Sequence, residues 1–208
     1  MALQADAQAL FGVTLTPQQV AQFDLLLAEL LDWNTRMNLT AITEPQAVRV
    51  RHFLDSLSIL PHLTGLPDKP YLIDVGTGAG FPGLPLALML PQVRVTLLDS
   101  TKKKLTFVQH VIDALKLQNA HTLHQRAEDA GRDDGLRGHY DVAVARAVAR
   151  LPALLEYLLP LVKVGGLVIA MKGNTAQQEA DDAAQALTLL GGELDAVTPV
   201  QLPDVTEA

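Results

Sequence analysis

Residues 71–90 read YLIDVGTGAGFPGLPLALML. An apolar run breaks at Gly76, Gly78, Gly80 and Gly83 and then resumes with helical spacing, which is how a strand, a tight loop and a helix read at a nucleotide-binding crevice. Four glycines within eight residues exceed what a turn alone needs. From Tyr71 onward, the short apolar segments YLIDV, RVTLLD, HTLH, YDVAVA and GLVIAM alternate with helical stretches. Such alternation predicts βαβ units and therefore an α/β, Rossmann-like fold, with a mostly parallel sheet and helices on both faces. Right-handed crossovers put every loop that follows a strand on one sheet edge, where ligands bind at the switch point. The closing stretch, GGELDAVTPVQLPDVTEA, begins like one more strand.

Two ligands fit the glycine loop. Residues 78–83, GAGFPG, satisfy G-x-G-x-x-G, and Asp99 follows about 20 residues on, as a dinucleotide fingerprint requires. Asp74 favours the other ligand. It stands at the end of the strand beside the loop, where a carboxylate opposes a pyrophosphate but suits a cationic end, such as the ammonium and sulfonium of S-adenosylmethionine. The arrangement D-x-G-x-G-x-G, Asp74 to Gly80, is one associated with methyltransferases, and Asp99 at the end of VTLLD would then accept from ribose hydroxyls. Each residue also has a plainer reading: Asp74 as a structural acceptor for nearby backbone, Asp99 as a cap for a helix starting near Thr101.

The chain of 208 residues is long enough for one sizeable core or a main domain with a small appendage, and 49% hydrophobic with 19% charged residues is a globular balance. It contains no apolar run of transmembrane length, so no membrane partner is expected, and MALQADAQALFGV lacks the basic start of a signal peptide. With no cysteine, disulfides, thiolate metal sites and a cysteine nucleophile are excluded, and the six histidines lack metal-ligand spacing. A cytoplasmic protein binding no metal is expected. The net charge of −7 argues against nucleic acid only until its placement is considered. Glu179, Asp181, Asp182, Glu193, Asp195, Asp204 and Glu207 all follow Lys172, the last basic residue, so seven of the 23 acidic groups lie beyond it and residues 1–172 hold 16 of each sign.

Residues 1–66 read as a helical extension before PHLTGLPDKP, with its three prolines and one glycine, marks a boundary; residues 67–208 form the ligand-binding part. Thr16, Pro17 and Gln19 make a capping box for an amphipathic helix running to about Asn38. A second box, Thr43 to Gln46, opens a helix that puts Val50, Phe53, Leu54, Leu57 and Leu60 on one face and Arg51, His52, Asp55 and Ser56 on the other.

The segments WNTRMNLTAI, RHFLDS, LIDVGTGAGFPGLPLAL, VTLLDSTKKKLTFV, RAED, ARAVA and MKG occur in an order that resembles the ribosomal RNA small subunit methyltransferase G family, also called glucose-inhibited division protein B. The likeness runs from about Trp33 to Gly173. It implies a class I methyltransferase fold, S-adenosyl-L-methionine as cofactor, and methylation of 16S rRNA at N7 of guanine 527 in the small-subunit decoding-region loop. A bacterial, cytosolic monomer acting on 16S rRNA or the small ribosomal subunit is implied. Carried over by residue, Gly76 and Phe81 would border the cofactor together with Asp74, Gly78 and Asp99, Ala127 and Glu128 would lie along the adenine, and Arg146 would close the pocket. His52, Asp55 and Ser56 belong near its mouth, and Lys172 is a candidate for RNA phosphate or guanine contact. Members of the family usually continue into a final strand that commonly ends with basic residues, whereas this sequence closes with PDVTEA.

The residue inventory permits that chemistry. N7 already offers an in-plane lone pair, so positioning and electrostatics suffice and no catalytic base is assigned; Arg146 and Lys172 are the candidates for positioning substrate. Carbon-5 methylation commonly uses a cysteine, which is absent, and amino methylation commonly uses an Asn or Asp-Pro-Pro-aromatic loop where this chain has Arg146, Ala147, Val148 and Ala149. Arg146 pairing with Asp141 is the plain alternative for that arginine. Phe81 is the best placed of the aromatics to stack on a guanine. Lys102, Lys103 and Lys104 open a helix whose dipole disfavours them, and with Arg36, Arg49 and Arg51 they form a possible RNA-facing surface. A small-molecule methyltransferase or an NAD(P)-binding oxidoreductase is the alternative.

Overall fold

The computed structural model describes residues 3–204; Glu207 and the end of PDVTEA lie outside the described residues. Helix α1 (Leu3–Phe11) leads into α2 (Pro17–Asn34). The expected capping box is formed: Thr16 Oγ1 accepts from Gln19 N at 3.2 Å and Gln19 Oε1 accepts from Thr16 N at 2.9 Å, a motif worth about 1 kcal/mol. The helix stops at Asn34 rather than near Asn38 because the Asn34 carboxamide takes over the next donors, its Oδ1 accepting from Leu39 N at 2.8 Å and Thr40 N at 3.0 Å.

The second box also shifts. Glu44 and not Thr43 caps α3 (Pro45–Val48), its carboxylate accepting from Ala47 N at 2.5 Å. The chain then widens into a π-helical segment, Arg49–Leu54, before α4 (Asp55–Leu57). Val50, Phe53, Leu54 and Leu57 are buried as their periodicity predicts, with Leu60 half-buried at the margin. A 3.6-residue repeat does not reveal the wider turn, which recurs at functional sites.

The sheet is built from β1 (Tyr71–Val75), then α5 (Gly83–Met89), β2 (Arg94–Asp99), α6 (Lys102–Ala114), β3 (Ala120–His124), the short α7 (Ala127–Ala130), β4 (Tyr140–Arg146), α8 (Leu151–Leu158) and β5 (Val162–Met171). All four pairings are parallel and the order is β3-β2-β1-β4-β5, so the strand order reverses between β1 and β4. This is a Rossmann-like class I sheet with flanking helices. Helices α9 (Ala176–Asp182) and α10 (Ala184–Leu190) follow. No strand follows α10 among the described residues, which corrects the expectation for GGELDAVTPVQLPDVTEA. Strand residues must pair with a neighbour, and the described part of this stretch, residues 191–204, joins no ladder.

Alternation along the strands sorts side chains onto two faces. Leu72, Val95, Leu97, Val142 and Val144 pack with α5, α6 and the apolar sides of α1, α2 and the 45–57 helical stretch. Ile73, Val75, Leu98, Ala143 and Ala145 pack with α8 and the start of the acidic C-terminal part, through Ala180 and Ala183. Phe53 joins the first 66 residues to the glycine loop, with ring centroids 5.3 Å from Phe23 and 5.9 Å from Phe81. Replacing it by alanine removes that bridge from a fully buried site. Phe53→Ala is expected to lower unfolding stability by about 3–5 kcal/mol, read from the midpoint of urea unfolding.

Candidate active site

The carboxyl ends of β1, β2 and β4 converge at the strand reversal, and the residues singled out in the glycine loop meet there. Asp74 is completely buried. Its Oδ2 accepts from Thr77 Oγ1 at 2.6 Å and from Gly83 N at 2.8 Å, so one carboxylate oxygen ties the loop's start to the first residue of α5. Its Oδ1 is buried with no hydrogen-bond partner among the described residues. Burial pushes the Asp74 carboxyl up to about 6 against the bonds from Thr77 and Gly83. Gly83 has no room for a side chain: a Cβ would stand 2.1 Å from Leu97 Cδ2 and 2.7 Å from Asp74 Oδ2.

Asp99 fastens the same loop from the neighbouring strand. Its Oδ2 accepts from Gly78 N at 2.9 Å and its Oδ1 from Thr101 N at 2.7 Å, while Gly76 N and Thr77 N both donate to the Leu98 carbonyl. Asp74 is thus the structural acceptor of its plainer reading, whereas Asp99 binds the amide of Thr101, the N-cap of α6, without capping the helix itself. Each leaves acceptor capacity, an unpartnered oxygen on Asp74 and carboxylate lone pairs on Asp99 beyond those its two amides use. An orphaned buried acceptor beside the glycine loop fits a ligand that brings a donor or a positive charge.

Phe81 is 4% exposed, and its ring is covered rather than offered to a base. The His52 imidazole stacks on it at 4.8 Å with an interplanar angle of 16°, and the Arg146 guanidinium lies 5.4 Å from the ring centroid. The expectation that Phe81 stacks on guanine is corrected: the neighbouring helical segment already fills its face. Arg146 pairs with Asp55 Oδ2 at 2.8 Å and not with Asp141, which instead binds Lys163 at 2.6 Å and accepts from Tyr71 N at 2.8 Å. Arg146 also donates to the Arg51 carbonyl at 3.1 Å and meets His52 Nδ1 at 3.3 Å. Burial first, and then the Arg146 charge, lower the His52 imidazole to about 4, so it is neutral near pH 7.

Beyond Arg146 a pocket of about 350 Å³ opens between the ends of β4 and β5, lined by Asp55, Arg146, Ala147, Met171, Lys172, Gly173 and Glu179. Lys172 turns inward, its ammonium 2.7 Å from Glu179 Oε2 and donating to the Ala149 carbonyl. In the sequence Glu179 is one of the acidic C-terminal residues, and no local pattern marks it as the partner of Lys172. Lys172, with backbone and Thr175 donors, holds its carboxyl down at about 2. Ser56 is buried and donates to the His52 carbonyl at 2.5 Å, supporting the segment rather than facing the pocket.

Ala127 and Glu128 lie one strand further out, on α7 after the edge strand β3, with Ala127 half-buried and Glu128 exposed. Lys102 and Lys103 are exposed and Lys104 half-buried on the same sheet edge. Arg36 and Arg49 are engaged with Asp32 and Asp24. No helix among the described residues is long and apolar enough to cross a membrane.

The chain matches the family described as rRNA small subunit methyltransferase G over residues 19–204. Among curated relatives, a ribosomal RNA small subunit methyltransferase G of Acetivibrio thermocellus is 47% identical over 93% of this chain and 78% of its own length. The protein of that name from Leuconostoc citreum is 46% identical over 93% of this chain and 81% of its own. Among solved structures, a SAM-dependent methyltransferase from Aquifex aeolicus superposes with a TM-score of 0.54 at 21% identity, covering 76% of this chain and 88% of that one.

Because His52 titrates lower in the folded chain than its ordinary value of 6.5, its neutral form favours folding. That contribution is complete above 6.5 and is lost as pH falls toward 4. A melting series from pH 7 to 4 should therefore show wild type losing more stability through this window than His52→Gln, which has no imidazole to protonate.

Proposed function

Because the chain belongs to the rRNA small subunit methyltransferase G family, whose enzymes use S-adenosylmethionine, we propose that it methylates 16S rRNA at N7 of guanine 527 in the decoding-region loop of the small subunit. S-adenosylmethionine supplies a methyl group made electrophilic by its sulfonium. The dinucleotide reading of GAGFPG gives way to family membership. The observation that carries the residue-level proposal is the buried, unpartnered Oδ1 of Asp74 at the head of the glycine loop. In this reading Asp74 accepts from the cofactor's cationic end, Asp99 accepts from its ribose hydroxyls, and Gly76 and Gly78 let backbone approach it. Phe81 backs the loop, and Ala127 and Glu128 border the adenine.

Residues 1–66 act as a helical extension that lends His52 and Asp55 to the site, while residues 67–208 carry the cofactor. The acceptor enters the pocket beside Arg146. Asp55 neutralises that arginine, which answers how a cation is tolerated near a sulfonium. Neutral His52 keeps a further positive charge away. The reaction asks for alignment of N7 with the methyl group and no proton removal, and a pocket with paired charges and no free base suits it. We place the protein in the cytoplasm as a monomer.

Asp74→Asn tests the cofactor part. The amide can keep its oxygen on Thr77 and Gly83 and put its nitrogen where Oδ1 now has no donor. Melting temperature at pH 7 should stay within a few degrees, while affinity for S-adenosylmethionine by calorimetry falls about tenfold or more, about 1.4 kcal/mol or above.

The acceptor is tested with labelled S-adenosylmethionine and small ribosomal subunits from cells lacking this protein. Label should map to N7-methylguanine at position 527, and Arg146→Ala should lower kcat/KM by about 10–100-fold. Cofactor binding with no label in RNA would direct the search to small-molecule acceptors and sink the rRNA reading.

A further inference from the structure

Lys172 and Glu179 stand outside the glycine loop, yet their side chains are only 10% and 11% exposed where they meet. A buried ion pair is a poor source of net stability, because both charges leave water. The groups around this pair indicate a different use. Lys172 Nζ donates to the Ala149 carbonyl as well as to Glu179. Glu179 Oε2 also accepts from Leu151 N at 2.8 Å, and its Oε1 accepts from Thr175 Oγ1 at 2.9 Å. The segment between β4 and α8 is thus gripped at Ala149, and the first residue of α8, Leu151, is held beside it.

The same segment borders the site at its other end. The Val148 side chain packs so closely on the glycine loop that a Cβ on Gly76 would fall 2.6 Å from its Cγ2. Ala147 takes φ +54, a conformation L side chains rarely adopt, and lines the pocket next to Arg146. A left-handed alanine is held only where its surroundings over-determine it, and the Ala149 and Leu151 anchors lie just beyond.

We propose that Lys172 and Glu179 are positioning residues: their ion pair fastens residues 147–150 between the glycine loop and the acceptor pocket, and Lys172 acts through that segment, its charge being paired with Glu179. The assignment rests on the acceptor-pocket reading above. It replaces the sequence-based expectation that Lys172 binds phosphate or guanine, since turning the ammonium outward would leave Glu179 buried with only the Leu151 amide and the Thr175 hydroxyl and without its cation.

The full chain is tested as Lys172→Met, Glu179→Gln and the double variant, which leaves no unpaired buried charge should a single variant fold poorly. The protein has no cysteine, so Lys172→Cys alkylated with bromoethylamine restores an ammonium at this position alone. Amide hydrogen exchange of residues 147–151 reads the loop without RNA, and kcat and KM on small subunits read the consequence.

Each single variant is expected to speed exchange there about tenfold and to lower kcat about 10–100-fold with KM for the subunit within about threefold; the double should be no worse, and alkylation should recover both. Exchange at the wild-type rate in both variants overturns the proposal. So does a raised KM at unchanged kcat in Lys172→Met alone, the mark of direct RNA contact, or a lowered melting temperature with kcat per folded molecule unchanged. A wild-type protein that labels no RNA sinks the acceptor reading instead, and exchange at 147–151 still decides whether the pair holds the loop.

Discussion

The Asp74 carboxylate, sealed beneath the start of α5, is the interaction on which the site depends. One oxygen holds Thr77 and Gly83, the two sides of the loop whose Ala79 and Phe81 pack into the core between them. That grip requires α5 to approach β1 so closely that residue 83 has no Cβ, and it sets a carboxylate in apolar surroundings where its ionised form is disfavoured. The second oxygen has no partner among the described residues. A buried acceptor left unpaired costs stability, and the proposed cofactor contact of Asp74 is an explanation for its being kept.

A second constraint comes from the helical extension. Phe53 and His52 converge on Phe81, and Asp55 takes the charge of Arg146, so the first 66 residues build one wall of the site as well as covering a sheet face. The electrostatic arrangement is consistent throughout. Arg146 is neutralised by Asp55, Lys172 by Glu179, and His52 is uncharged near neutral pH. Few free charges then surround the pocket. Such surroundings suit transfer to a nitrogen that needs alignment rather than deprotonation, and positioning falls to the backbone segments that these pairs anchor.

Much of this was legible in linear order. The strand segments, the glycine loop, the Thr16 box and the buried face of the second helical stretch are local or periodic signals, and each falls within a few residues of its predicted place. Structure and periodicity part where a side chain or a missing partner prevails: Asn34 ends α2 early, Glu44 displaces Thr43 as cap, a π turn interrupts the helical repeat, and the described part of the closing stretch has no strand to pair with. The glycine-loop motif includes Phe81, but nothing local shows that His52 covers its ring.

The sequence by itself determined the alternation of strands and helices, the loop after β1 and the family, because these reside in periodicity and in residues fixed a few positions apart. Only the tertiary structure decided what the charged residues do. Arg146 pairs with Asp55 and not with Asp141, which lies five residues before it on the same strand, and Lys172 pairs with Glu179, seven residues further on. Charge pairing acts over a few ångströms in space and is indifferent to separation along the chain, so it becomes visible only when the strand edges and helices bring distant residues together.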